Sequence, residues 1–318
     1  MLEIIVSVFL GACWISSLIG IRKYVANTTL MAPWIWAIAA SIAVLSATLF
    51  VNTVNTVNTV DNIASAGAPL LRYLAAIATC CPVVALLGAK KPQSRAWQWI
   101  VGALWIVLSL PAITAITFTH TTLHLGGVWT SLLWILIFLP VGNYLSTRYF
   151  FPAMLAATAQ IFLFVDCGSI SLWGASPLVS EYSVVSPTAT ALFLVLLATL
   201  TAGYITPKQS HLFKSGDQTA NLWMEFSQLY GILWSRRVAD RADKLLDQSG
   251  IPIRVGPSHF YARKKDGTWQ PILGDELPPE VAVTLKNLLI RFVSQHWIDA
   301  MTSRAVGTRK SVSESRAD

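Results

Sequence analysis

Apolar and polar positions divide this chain in two. As far as Ile205, long apolar runs alternate with short polar interruptions; after Thr206 the apolar positions thin into periodic stripes between charged residues. About 20 apolar residues, rising 1.5 Å each, cross a hydrocarbon core. On that measure seven spans are predicted: Ile4–Ile21, Met31–Val51, Pro69–Gly88, Trp97–Ile116, Val128–Ser146, Phe150–Val165 and Val185–Ile205. The sixth is the shortest, and its apolar run extends as far as Asp166 if that residue is counted.

Beyond the spans the pattern is that of a small folded unit. From Gln218 to Gln248, Leu222, Phe226, Leu229 and Leu233 fall on one helical stripe, which Ala242, Leu245 and Leu246 resume before Gly250 and Pro252 end the helix. The stretch from Ile251 to Leu273 reads as two strands joined by a turn at Asp266 and Gly267. Pro278 and Pro279 then open a second helix, Glu280 to Met301, with Val281, Leu285, Leu288, Phe292 and Val293 on one side. The fold class expected is therefore an all-α polytopic membrane protein with a small α-β-β-α C-terminal domain. Its parts are a transmembrane domain over 1–205, a helix-hairpin-helix domain over 206–301 and a disordered tail over 302–318.

Composition agrees with this division. Of 318 residues, 54% are hydrophobic and 12% charged, about half the charged share usual in a soluble domain, so a bilayer is the expected solvent. Charge sets the orientation. Within the span region the cations are Arg22, Lys23, Arg72, Lys90, Lys91, Arg95 and Arg148, and all but Arg72 lie in the connections after spans one, three and five. Lys208 and Lys214 follow span seven. Cytoplasmic loops retain Lys and Arg, so the N-terminus is expected outside and the C-terminal domain in the cytoplasm, in a membrane of the bacterial cytoplasmic type. Glu3 before the first apolar run and cations after it are the reverse of a cleaved secretory leader. Trp34, Trp36, Trp97 and Trp99 fall at inner boundaries and Trp129 at an outer one, as an aromatic belt requires. The repeat "VNTVNTVNTV" at 51–60 has a period that fits neither helix nor strand and is expected in an outer loop.

Candidate chemistry is sparse. His120 and His124, in "FTHTTLHLGGVW", would stack on one helical face before Gly126 and Gly127. Two imidazoles make half a zinc site, and Asp166 and Cys167 are the most suggestive outer-face additions; haem is the other cofactor such imidazoles could bind. The competing reading is a helix end crossing the headgroups, rich in threonines that bond back to their own turns. No cofactor is predicted on balance. Arg72, near the outer end of span three, is an intramembrane ionisable group with Asp61 or Asp166 as expected partner. Pro82, Pro111, Pro140 and Pro187 mark places where helices could be interrupted, as in transporters.

The C-terminal domain has no phosphate loop, no nucleophile motif and no grouped metal ligands. Its basic triplet Arg263, Lys264 and Lys265 suits anionic headgroups or a protein partner, and nucleic acid is not expected. The function expected is non-catalytic assembly or partner binding through the cytoplasmic domain. The alternatives are outer-face metal or haem handling at His120 and His124, and transport of a small solute.

Overall fold

A computed structural model of the chain describes residues 2–57, 62–91, 94–115, 117, 125–169, 186–209, 218–257, 259–272 and 277–302. Among these the structure is mostly helical. Helices α1 (Leu2–Val25), α2 (Met31–Val57), α5 (Ser94–Thr114), α6 (Gly127–Tyr144) and α8 (Pro187–Gln209) are single long apolar rods. A sixth apolar stretch is shared by α3 (Asn62–Ala78) and α4 (Cys81–Leu87). These make six helical segments long and apolar enough to cross a membrane; α7 (Phe150–Asp166) is equally apolar but has only 17 residues. Outward-facing Phe9, Ile42, Phe50, Ile106, Ile135 and Phe193 are exposed, an arrangement a bilayer would cover and water would penalise.

The interruptions differ from proline to proline. Pro111 and Pro140 are accommodated inside α5 and α6, and Pro187 is the first residue of α8, where a missing N–H costs nothing. Pro82 sits where the chain breaks at Thr79 and Cys80, because it cannot donate to the preceding turn. The repeat expected in a loop is helical as far as Val57, a correction to the sequence reading. The Thr53 hydroxyl donates to the Leu49 carbonyl at 2.8 Å, so the polar side chain is satisfied by its own helix and nothing stops α2 at Val51.

In the apolar bundle α8 packs against α7 and α1, α1 against α2, and α2 against α3 and α4. The last turn of α1, with Arg22 and Lys23, and the connections carrying Lys91 and Arg148 gather at one end, where they meet the C-terminal region. Helix α9 (Gln218–Gln248) lies there, followed by β1 (Ile253–Val255), β2 (Phe260–Arg263), β3 (Trp269–Ile272), α10 (Pro279–Leu289) and a last helix, α11, over 295–302. The sheet is antiparallel in the order β1-β2-β3, pairing Val255 with Phe260 and Arg263 with Trp269.

Two further expectations are corrected here. The sheet has three strands rather than two, because Gly256 and Pro257 turn the chain inside the first expected strand, and Gly256 N–H donates to the His259 carbonyl at 2.8 Å. The expected turn is present, with Gly267 at φ 85° and the Asp266 carboxylate accepting the Thr268 N–H at 2.9 Å. The expected second helix is broken between α10 and α11. Residues 291–294 leave the helix to pair their backbone with the membrane-side connections: Thr29 N–H donates to Phe292 C=O at 2.8 Å, Ser294 N–H to Asn27 C=O at 2.8 Å, and Lys91 N–H to Arg291 C=O at 2.8 Å. The tail from 303 onwards, expected to be disordered, lies outside the described residues.

One core spans this junction. Leu30, Leu86 and Ala89 from the bundle's connections are buried together with Trp223, Phe226, Tyr230 and Trp234 of α9 and Leu285, Leu289 and Phe292 beyond it. Phe226 stacks on Tyr230 at 4.6 Å, and Phe292 meets Trp234 edge-on at 5.0 Å. Each such aromatic contributes on the order of 1.5–3 kcal/mol by burial, and edge contacts add about 0.5–1.5 kcal/mol.

Candidate functional site

Among the described residues, a concave site lies inside the apolar bundle. It is a cavity of about 400 Å³ between α1, α2, α4, α7 and α8, within the size range of small-molecule pockets. Its origin is local and compositional. Ala40, Ala156, Ala198 and Ala202 are among the small side chains facing it, so neighbouring helices that touch elsewhere leave space between them here.

The end nearest the C-terminal region is built by residues that also hold that region. Tyr144, Tyr149, Thr206 and Leu229 line it. Tyr149 and Thr206 share a hydroxyl hydrogen bond at 2.9 Å, and the Tyr144 hydroxyl donates to the Leu229 carbonyl of α9 at 3.1 Å. Just outside, Arg148 forms a two-pronged ion pair with Glu225, at 2.7 and 3.1 Å, and its guanidinium lies over the Tyr149 ring. The Arg148 side chain is 5% exposed and that of Glu225 19%, so the guanidinium is buried while the carboxylate keeps some contact with solvent.

The docking of α9 depends on a break that sequence periodicity does not reveal. Gly231 has φ 74° and ψ −174°, a conformation that in practice only glycine adopts. A side chain there would overlap the Asn143 amide. That amide, buried in α6, bridges the break: its Nδ2 donates to Tyr230 C=O at 3.2 Å and its Oδ1 accepts Leu233 N–H at 3.0 Å. The break rotates the buried face, so Tyr230 and Trp234 enter the core while Leu233, expected there, is 39% exposed. The Tyr230 hydroxyl meets Phe292 C=O at 2.9 Å and Thr29 Oγ1 at 3.0 Å, and burial pushes its pKa well above the ordinary tyrosine value.

Polar groups are few deeper in the cavity. Gln160 of α7 reaches the α3/α4 break and donates from Nε2 to Thr79 C=O at 2.9 Å and to Thr79 Oγ1 at 3.3 Å. Its Oε1 is buried without a hydrogen-bond partner, and so is the Nε1 of Trp14 on α1.

The residues singled out from sequence separate into three places. Arg72 and Asp166 form an ion pair at 3.1 Å near the far end of the bundle, and Asp166 also accepts the Thr188 hydroxyl at 2.7 Å. Cys167, expected near solvent, is 3% exposed and bonded to Ser169 at 3.0 Å, and burial pushes its thiol up to about 11. His120 and His124 lie outside the described residues. Among the described residues no three His, Cys, Asp or Glu side chains are grouped to hold a metal ion. Arg263, Lys264 and Lys265 are exposed on the hairpin, away from the cavity.

Sequence reasoning passed over Gln160, Trp14 and Asn143. A lone Gln in an apolar run was the one available signal for the first. No protein-family model, curated protein or solved structure matches the chain.

Proposed function

We propose that the chain is a non-catalytic binding protein of a bacterial cytoplasmic membrane. It holds one apolar, lipid-like molecule within the bundle and makes protein or headgroup contacts through its C-terminal region. The observation that carries this reading is the open-sided cavity of about 400 Å³, lined mostly by apolar side chains with alanines among them and bordered by Leu229 of the C-terminal helix. A ligand there touches both the bundle and α9, so occupancy and docking of the C-terminal region are energetically linked.

The proposal includes seven spans, with α7 as the sixth at about 25 Å, since 17 residues at 1.5 Å each are the short end of what crosses a bilayer. It also includes an N-terminus outside and a cytoplasmic C-terminal region. Support comes from the gathering of Arg22, Lys23, Lys91 and Arg148 at the end occupied by α9. The exposed Arg236, Arg237, Arg241 and Lys244 of α9, with Arg263, Lys264 and Lys265, then face anionic headgroups or an acidic partner. One observation favours transport as a second reading: the helix interrupted at Thr79 and Pro82 lines this same cavity.

The test is native mass spectrometry of the full chain released from detergent, beside Ala156→Phe, which fills the cavity. The expected result is a single lipid-like adduct on the wild type that is lost in the variant. Equal spectra from the two folded proteins would overturn the reading.

A further inference from the structure

Beyond the Gly231 break, contacts fix the two sides of α9. The Trp234 indole donates to the Leu86 carbonyl at the end of α4 at 2.8 Å, so that side faces the bundle. The Asp243 carboxylate accepts the Val255 N–H of β1 at 2.7 Å, so that side faces the sheet. At about 100° per residue these two side chains leave the helix in opposite directions. Val238, Ala242 and Leu246 are buried between them, and the face across from these three is open.

The charges of the open face are sorted between the two sides. Arg237, Arg241 and Lys244 are exposed and lie within about 80° of the Trp234 direction. The Arg237 guanidinium sits over the Trp234 ring at 5.1 Å, in agreement with that placement. Asp240 and Asp247 lie about 120° or more from Trp234, on the side of Asp243. Burial raises the Asp243 pKa, and the like charges of Asp247 and Asp240 add to the rise. Arg236 is the one cation of α9 on this acidic edge.

The three bundle-ward cations are also unspent. Asp240 is three residues after Arg237 and four before Lys244, within reach for helical ion pairs. Yet among the described residues ion pairs form at Arg72 and Arg148, and none forms at Arg237, Arg241 or Lys244. The adjoining corner of the bundle has the same sign: Lys90 and Lys91 follow Leu86, and Arg95 lies in the first turn of α5. Trp99, one turn further, is 83% exposed, the setting of an interfacial anchor.

Resting on the headgroup contact proposed above, we infer that the bundle-ward edge of α9, formed by Arg237, Arg241 and Lys244, is a docking surface for anionic phospholipid headgroups. A soluble acidic partner can approach α9 from any open side and gives no reason for cations to collect on the edge next to the bundle. A layer of anionic headgroups level with the end of α4 gives that reason, and it leaves the acidic edge turned to water. Long cationic side chains reach such a layer from a helix lying beside it, and each is worth about fivefold in affinity there.

The experiment uses the full chain in neutral detergent micelles at low salt, where surface charge is least screened. Tritiated phosphatidylglycerol is the probe in a scintillation proximity assay, with unlabelled phosphatidylglycerol and phosphatidylcholine as competitors. Phosphatidylcholine should compete roughly tenfold worse, and Arg237→Gln/Arg241→Gln/Lys244→Gln should weaken phosphatidylglycerol by roughly tenfold or more. Asp240→Asn/Asp247→Asn should leave its affinity as tight or tighter. Arg263→Gln/Lys264→Gln/Lys265→Gln, on the hairpin, should change it by less than about twofold.

A triple α9 variant that keeps its phosphatidylglycerol affinity within about twofold would overturn this docking surface; loss in the hairpin variant instead would place the headgroup contact there and leave that broader reading standing. Equal competition by the two lipids on the wild type would overturn both and favour an acidic protein partner. None of these results bears on the cavity, which Ala156→Phe tests separately.

Discussion

Replacing Gly231 with alanine isolates the device that seats the C-terminal region on the bundle. Gly231 adopts φ 74° and ψ −174° inside α9, and a methyl group there would overlap Asn143. Forcing a non-glycine residue into such a conformation costs about 1–3 kcal/mol. The overlap also displaces the amide that holds Tyr230 C=O and Leu233 N–H at 3.2 and 3.0 Å, and each neutral hydrogen bond lost costs about 1 kcal/mol. Together these give a loss of about 3–5 kcal/mol, a large part of the 5–15 kcal/mol that typically separates folded from unfolded. The assay is unfolding by SDS titration in mixed micelles, followed by tryptophan fluorescence, with hydrogen exchange of 218–248 reporting whether α9 has come away. Gly20→Ala is the matched control, because nothing lies within 4 Å of the added methyl in α1 and the change should be neutral or stabilising by about 0.5–1 kcal/mol. A Gly231→Ala protein that loses less than about 1 kcal/mol, with α9 exchange unchanged, would refute the argument.

Other expectations follow from buried polar contacts. Glu225→Ala strands the Arg148 guanidinium, 5% exposed and held at 2.7 Å, and should cost about 3–5 kcal/mol in the same titration; a loss within about 0.5 kcal/mol would show the pair to be solvated. Cys167 should resist a water-soluble maleimide in the folded protein at pH 7.5, since burial raises its pKa to about 11 and leaves fewer than about one thiol in a thousand ionised. The folded state keeps that proton over pH 9 to 11, where the unfolded chain gives it up, so this thiol lowers stability as pH rises through that window; rapid labelling at pH 7.5 would contradict the burial. Alkaline phosphatase fused after Gln209 should be inactive and the same fusion after Val57 active; the opposite pair of results would invert the orientation.

The sequence alone carried what depends on local pattern and on solvent. Apolar run length anticipated the apolar helices, though α2 continues to Val57 and the third stretch begins at Asn62 and breaks in two, because a bilayer core demands about 20 apolar residues wherever the segment lies in the fold. The alternation of basic connections anticipated which of them gather at one end, since charge is a property of each connection by itself. Asp166 was legible as one of two partners for Arg72, beside Asp61, which lies outside the described residues, because a charge in an apolar span needs a nearby opposite.

What periodicity could not carry was decided by contacts between distant segments. Phe292 and Val293 show the pattern of a continuing helix, but the backbone of 291–294 pairs with Asn27, Thr29 and Lys91, distant in the chain, and the helix ends there. Gly231 reads as a weak point in a helix and becomes a rotation of the buried face only because Asn143 of α6 bridges it. The cavity follows the same rule. Alanines are common in any one apolar run, and they border an open-sided space of about 400 Å³ only when α1, α2, α4, α7 and α8 present them to one another. Trp14 Nε1 and Gln160 Oε1 are buried without partners for the same reason: which polar atoms in an apolar bundle lack partners is a property of its packing rather than of any single run.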